Sequence, residues 1–374
     1  MREAASEAAH RWITDCSQDD LEAHRTYQDV NSENGRQEAL REEYRKMLSA
    51  TPESGKAHYL FGRVEKDSAS AAAQYQEAIR LDSKLIWPRV ALGRFYQTME
   101  RYDDAMQEFN SAVDMEGRDP SVVLYYASAA IASGTTDAAL AKVDGIRKSN
   151  PRDLGATQAR WLLAVASSDW QGVADVQKAL VARESLATTW WRSVKVLRFK
   201  NDASVDARIA NGLQSREVRG VALQLRAERL LESGDFAACA QFIKSNAKEI
   251  DSTTLAMLDA YTAAGFLLQG NKAEADGLLT AARRAIGDVP RSTGDRLAEA
   301  VIGGLRGSLS VDAVMSVARE TDAIAHGWFV AGVRAAQSGD RTRASQDFAK
   351  CARAASDLDF PYLEVKAFAA KMKS

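Results

Sequence analysis

Small and large apolar residues recur along this chain at helical spacing, and the recurrence itself has a period. The stretch Leu92–Ala112 shows it best: Gly93 and Tyr96 share one face, Glu100–Tyr102 interrupts, and Ala105, Phe109 and Ala112 share another. Each set is the apolar stripe of a short amphipathic helix, and so brief an interruption leaves room only for a tight reversal. From Gly93 the small residue of the second helix, Ala105, lies twelve residues on, with Phe109 four later and Ala112 three later. The same twelve, four, three spacing returns at Ala127, Ala139, Val143 and Ile146; at Ala227, Cys239, Ile243 and Asn246; at Ala263, Ala275, Leu279 and Ala282; and at Gly332, Ala344, Phe348 and Cys351. Gly134, Gly234, Gly270 and Gly339 each precede the small residue of the second helix by five positions. There the left-handed conformation open to glycine ends one helix and turns the chain back.

Around these clear units lie looser ones. The first, from Ser54, keeps Gly62, Ala71, Tyr75 and Ala78, but its turn is about three residues shorter than the others. Residues 153–183 keep a turn at Asp169–Trp170, residues 187–213 form a pair around Asn201–Asp202, and residues 293–320 a pair broken at Gly307–Ser308. That makes about nine hairpins after residue 50, followed by a closing helix from Pro361 to Met372. Ahead of them, residues 1–18 read as a short helix with Ala5, Ala8, Ala9, Trp12 and Ile13 on one side. Asp19 to Asn34 reads as a polar stretch broken at Asn31, Ser32, Asn34 and Gly35, and Arg36 to Ser49 as a charged helix ended by Pro52. The expected organisation is a helical extension or cap over 1–50, an N-terminal array over 51–186, a divergent C-terminal array over 187–356 and a capping helix over 357–374.

The frame resembles the tetratricopeptide repeat, a two-helix unit of ~34 residues. Leu92–Gly93, Tyr96, Ala105, Phe109 and Ala112 match its pattern, as do Trp328, Gly332, Ala344 and Phe348, while Asn246 stands where alanine is usual and Ser83 and Gly117 near expected prolines. The resemblance implies an all-α fold, an α-solenoid of stacked antiparallel hairpins in a right-handed superhelix. It also implies that the first helix of each unit lines a concave groove, with the residue after the small one pointing into it. Arg63, Arg94 and Ser128 would then stand on neighbouring rungs, with Tyr59, Val90 and Leu124 one turn earlier and Lys66, Gln97 and Ile131 almost one turn later.

Composition narrows the chemistry. With 49 basic and 51 acidic residues and a formal net charge of −2, no global field marks nucleic acid as a partner. Cys16, Cys239 and Cys351 are odd in number and widely spaced, which argues for reduced thiols rather than a disulfide framework or zinc site. His10, His24, His58 and His326 are isolated, and no phosphate-binding glycine loop is present. No apolar signal core occurs in residues 1–20, and no run approaches the ~20 apolar residues of a membrane span. The expectation is a cytoplasmic chain with no membrane insertion, no metal, no cofactor and no catalytic set. Trp190–Trp191 with Arg192, Lys195, Arg198 and Lys200 has the look of a nucleic-acid platform, but a core tryptophan beside a solvated basic face explains it more simply.

What remains is a basic groove. Arg63, Arg94 and Lys66, with the phenol of Tyr59 and the polar side chains of Gln97 and Ser128, could grip a carboxylate or acidic peptide through charge-assisted hydrogen bonds. The competing account leaves Arg63 and Arg94 merely solvated, or pairs them with Glu65 or Glu100 nearby. The carboxylate clamp known in this family also uses groove asparagines, and these rungs carry none. The leading functional reading is a non-catalytic scaffold that binds a peptide or partner protein along the concave face. The alternatives are the regulatory or assembly arm of a larger secretion, envelope or signalling machine and, least favoured, an enzyme with a scattered site.

Overall fold

The computed structural model describes residues 7–8, 10–13, 20–33, 36–115, 119–181, 185–287, 292–321 and 323–354. Among them are twenty helices and no strand. The first eight are α1 (Leu21–Glu33), α2 (Gln37–Ala50), α3 (Gly55–Gly62), α4 (Ser68–Leu81), α5 (Ile86–Thr98), α6 (Tyr102–Val113), α7 (Ser121–Ser133) and α8 (Thr136–Ser149). Then come α9 (Leu154–Ala166), α10 (Trp170–Val181), α11 (Leu186–Phe199), α12 (Val205–Leu213), α13 (Arg219–Ser233) and α14 (Phe236–Asn246). The chain continues with α15 (Ser252–Leu268), α16 (Lys272–Ile286), α17 (Thr293–Arg306), α18 (Val311–Glu320), α19 (Ile324–Gln337) and α20 (Arg341–Ala354). The packing forms two compact units, Met1–Ala159 and Arg160–Ser374.

From α3 to α20 the helices follow one another as nine successive pairs, the number expected from the spacing. Eight of the nine turns hold a residue at positive φ: Glu100, Gly134, Ser168, Asn201, Gly234, Gly270, Gly307 and Gly339. Each follows the one before by about one repeat length, so the turn keeps step with the hairpins throughout. It keeps its left-handed residue even where the sequence supplies glutamate, serine or asparagine, a conformation that costs a residue with a Cβ roughly 1–2 kcal/mol. Packing of the two helices imposes it.

The small residues perform the close approach their spacing predicts. A Cβ on Gly62 would meet the Tyr75 ring at 2.7 Å, one on Gly93 the Phe109 ring at 2.8 Å, and one on Gly332 the Phe348 ring at 2.9 Å. Phe109 and Phe348 are themselves fully buried. Helix starts are capped locally: the side chains of Ser54, Asp67, Ser185, Asp235, Asp251, Ser292 and Ser310 each accept a hydrogen bond from a backbone N–H three residues on. Cys239 and Cys351 fill buried small-residue positions. Cys16 and the closing helix expected from Pro361 lie outside the described residues, as does most of the helix expected over 1–18.

Within the polar stretch expected over Asp19–Asn34, Leu21–Glu33 forms α1, which pairs with α2 as a further hairpin ahead of the nine. Three of its polar residues, His24, Gln28 and Asn31, are buried and bonded, while Glu22, Thr26 and Asp29 are exposed. His24 Nδ1 lies 2.9 Å from the Tyr44 hydroxyl, Gln28 Nε2 donates to the Leu60 carbonyl, and Asn31 Nδ2 donates to the Tyr27 carbonyl. The reason lies in the next unit, whose shortened turn leaves α3 with eight residues and no left-handed closing residue. Gln28 from α1 and Arg41 from α2, the latter through Nε to the Val64 carbonyl, satisfy the carbonyls at that helix end.

In the second unit the first helices of successive hairpins, α11, α13, α15, α17 and α19, contact one another, and α15 touches α19 as well as α17. α15 is consequently buried on every side from Leu258 to Phe266. Tyr261 from α15 meets the Phe329 ring of α19 edge-on at 5.3 Å.

Candidate functional site

The residue after the small one on each first helix is where the sequence points to binding. In the first unit, Arg63 just past α3, Arg94 on α5 and Ser128 on α7 follow the small residue, and Asp29 on α1 lies about one repeat before Arg63. Arg63 follows the last residue of α3 and bridges two elements: Nη2 donates to Asp29 Oδ1 at 2.5 Å and Nη1 to the Tyr59 hydroxyl at 3.3 Å. Its guanidinium carbon stands 6.0 Å from the Tyr59 ring centroid. The pairing is thus with an acid one repeat earlier, not with Glu65.

Arg94 sits on α5 beside Gly93, and its guanidinium lies 5.4 Å from the ring of Tyr125 on α7. Tyr125 in turn stacks on Phe109, centroids 6.0 Å apart and planes at 13°. The aromatic ring against which Gly93 closes therefore supports the ring on which Arg94 rests. Between the two arginines lies Tyr75 of α4, its ring 6.0 Å from that of Tyr59. Burial pushes the Tyr75 phenol above its ordinary value, Tyr59 adds to the shift, and Arg63 and Arg94 oppose it. Arg25 of α1 adds a third cation to this part of the unit, 3.4 Å over the Trp87 ring of α5. Arginine laid on an aromatic face keeps its charge while losing little conformational freedom, so these rungs present guanidinium groups in fixed orientation.

The other residues expected in the set are placed less uniformly. Tyr59 is buried in the core among Tyr27, Leu40, Tyr44 and Leu60, and offers only its hydroxyl to Arg63. Lys66 lies beyond the end of α3 rather than one turn along it, exposed, with Nζ 2.8 Å from Glu38 of α2. Lys66 and Arg41 hold the Glu38 carboxyl below its ordinary value. Gln97 and Ser128 are half-buried on α5 and α7, while Val90 is buried.

In the second unit the same position is occupied by Lys195 of α11 and Glu228 of α13, again one repeat apart, and it is closed. Lys195 Nζ lies 2.7 Å and Arg198 Nη1 2.5 Å from Glu228 Oε2, Gln224 Nε2 donates to Glu228 Oε1 at 2.9 Å, and Arg198 reaches Glu232 at 3.5 Å. Burial would raise the Glu228 carboxyl, but Lys195 and Arg198 together pull it below its ordinary value. Lys195 and Arg198 are therefore not a solvated basic face beside a core tryptophan. They are turned inward, with Lys195 Nζ 5.3 Å over the Trp191 ring, and Trp190 fills the space beside Gly212.

Asp29, Glu228 and the aromatic supports Tyr75 and Tyr125 were not among the expected site residues. Counting one repeat back from Arg63 finds Asp29, and applying the same frame to α11 and α13 finds Lys195 and Glu228. Nothing in the spacing foretells that one pair is open and the other sealed. The histidines have packing partners: His58 Nδ1 lies 2.7 Å from Gln74 Oε1, and the His326 ring is 6.2 Å from that of Tyr261. No group of metal-ligating side chains occurs among the described residues.

The pairing of helices, the recurrence of the left-handed turn residue and the small-against-aromatic contacts make this chain an array of tetratricopeptide-like repeats. No protein-family model matches it, and neither does any curated protein. Among solved structures, a tetratricopeptide repeat protein from Parabacteroides merdae ATCC 43184 is similar over 84% of this chain and 98% of its own, at 12% identity and a TM-score of 0.40. The APC/C hetero-tetramer Cut9-Hcn1 is similar over 95% of this chain and 84% of its own, at 10% identity and a TM-score of 0.32. Naa15/Naa10 bound to HypK-THB is similar over 100% of this chain and 63% of its own, at 12% identity and a TM-score of 0.24. At such scores the class of the fold rests on the hairpins of this chain themselves. Among the described residues no helix is long and apolar enough to cross a membrane.

Proposed function

We propose that this chain is a non-catalytic interaction scaffold whose first unit binds an acidic peptide or partner-protein segment across its first helices. The observation that carries this reading is the recurrence of arginine at one repeat position on α3 and α5, each held against a tyrosine ring, Tyr59 and Tyr125. Side chains fixed in this way have already lost much of the freedom that binding would otherwise remove, which favours capture of an extended segment. Guanidinium forks match carboxylates in shape as well as charge.

Contacting helices pack about 8–10 Å apart, and one turn of a polyproline II segment advances ~9 Å over three residues. A segment with an acidic residue at every third position would therefore meet successive rungs. The test is binding of a fluorescein-labelled (Glu-Pro-Pro)4 peptide by anisotropy at low ionic strength. Binding should be lost in the Arg63→Glu, Arg94→Glu double variant while its thermal melt stays close to the parent's. Binding that survives both substitutions removes the site.

A further inference from the structure

The basic rung already holds a carboxylate, and it is one the chain supplies itself. Asp29 stands on α1 about one repeat before Arg63 and accepts from it at 2.5 Å. Glu38 on α2 does the same for Lys66 at 2.8 Å. Both acids come from the hairpin that precedes the nine, both are mostly exposed, and Arg63 itself retains 20% of its side-chain surface. The contrast within the molecule is direct. Where an ion pair at the same repeat position serves only to hold rungs together, Glu228 is 4% exposed and receives three side-chain nitrogens, from Lys195, Arg198 and Gln224. Asp29, 64% exposed, receives Arg63 alone among the described side chains. The carboxylate side of the pair faces solvent while the Arg63 guanidinium is mostly covered, so an incoming carboxylate reaches it by taking the place of Asp29, which leaves the charge of Arg63 answered.

We propose that Asp29 is an internal competitor for the acidic segment: the α1–α2 hairpin lays its own carboxylate on Arg63, and a partner binds by exchanging its carboxylate for that of Asp29. The exchange conserves charge, since one carboxylate leaves the guanidinium as another arrives, and Tyr59 keeps its hydrogen bond to Nη1 throughout. Affinity is thereby held down in a way that any event drawing Asp29 away would relieve. This inference rests on the proposed acidic-segment site, and the experiment separates the two.

Binding of the fluorescein-labelled (Glu-Pro-Pro)4 peptide is compared in the full chain, in Asp29→Asn, in Arg63→Gln, in Arg94→Glu and in the Asp29→Asn, Arg63→Gln pair. Asp29→Ser serves as a second release variant, and thermal melts establish that each is folded. Release of Arg63 should tighten binding about fivefold in both Asp29 variants, and the gain should vanish in the background of Arg63→Gln. If both Asp29 variants bind no tighter than the parent although Arg94→Glu still abolishes binding, the competitor role is overturned and the acidic site stands. If the peptide is not bound, or is bound equally by every variant including Arg94→Glu, both fall.

Discussion

Two ion pairs at the same repeat position, one in each unit, show how one architectural slot serves opposite ends. Asp29 and Arg63 join α1 to α3 and are partly open to solvent; Lys195 and Glu228 join α11 to α13 and are sealed. The position is the same, the charges are complementary in both, and the surroundings decide the outcome. In the first unit the arginines lie on tyrosine rings and stay partly exposed. In the second, Arg198 and Gln224 close over the pair, and α15 further along is buried on all sides. The same repeat position is left partly open in one unit and spent on internal cohesion in the other.

The largest effect should come from the sealed pair. Glu228→Gln leaves Lys195 buried without its counter-charge and Arg198 with Glu232 alone, and should cost about 3–5 kcal/mol in urea denaturation, whereas Asp29→Asn, which keeps a side-chain oxygen for Arg63, should cost clearly less. Equal costs would dissolve the contrast. Next in size is Asp259, buried in α15 with no hydrogen-bond or ion-pair partner among the described residues, its carboxyl raised from 3.8 to about 7 by burial. Because the folded state binds this proton more tightly than the unfolded chain, the stability it lends is present below 3.8 and is lost as pH rises through about 7. Asp259→Asn should therefore raise the melting temperature at pH 8 and converge on the parent near pH 4. An unchanged difference across that range would show that α15 is wetter than its burial indicates.

Gly93→Val should cost about 1–3 kcal/mol, because the added carbons meet the buried Phe109 ring. It should also weaken peptide binding, since Phe109 supports Tyr125 beneath Arg94. Lost stability with intact binding would separate the ring stack from the site. The smallest effect is at the turns. Glu100→Gly should stabilise by about 0.5–1 kcal/mol in the same denaturation assay, since φ there is +58°. Asn201→Gly should gain less, because asparagine tolerates the left-handed region at φ +52°.

Much of the fold is legible in the residues because the repeat is local. The step from one small residue to the next sets the hairpin, and in all but α5–α6 a glycine just ahead of the second helix sets the turn, so α5–α6, α7–α8, α13–α14, α15–α16 and α19–α20 can be read from sequence alone. The frame then locates the rest: Ser168 and Asn201 mark turns that carry no glycine. What misleads is polarity. Residues 19–34 read as a polar, broken stretch, yet Gln28 is buried because the truncated end of α3 has carbonyls to satisfy, and Asn31 because it donates within α1 itself. The basic run after Trp191 misleads for the same reason, its charges being answered by Glu228 on another helix.

By itself, then, the sequence determined the period, the class of fold and the line of residues on which charge would fall, because helix pairing and close approach depend on residues within one repeat. Only the tertiary structure decided which of those charges face solvent and which face each other. That choice turns on contacts between residues one repeat apart, Asp29 with Arg63 and Lys195 with Glu228, and on how far the neighbouring helices close over them. Local spacing does not encode it, because the same one-repeat interval yields an open pair in one unit and a buried one in the other.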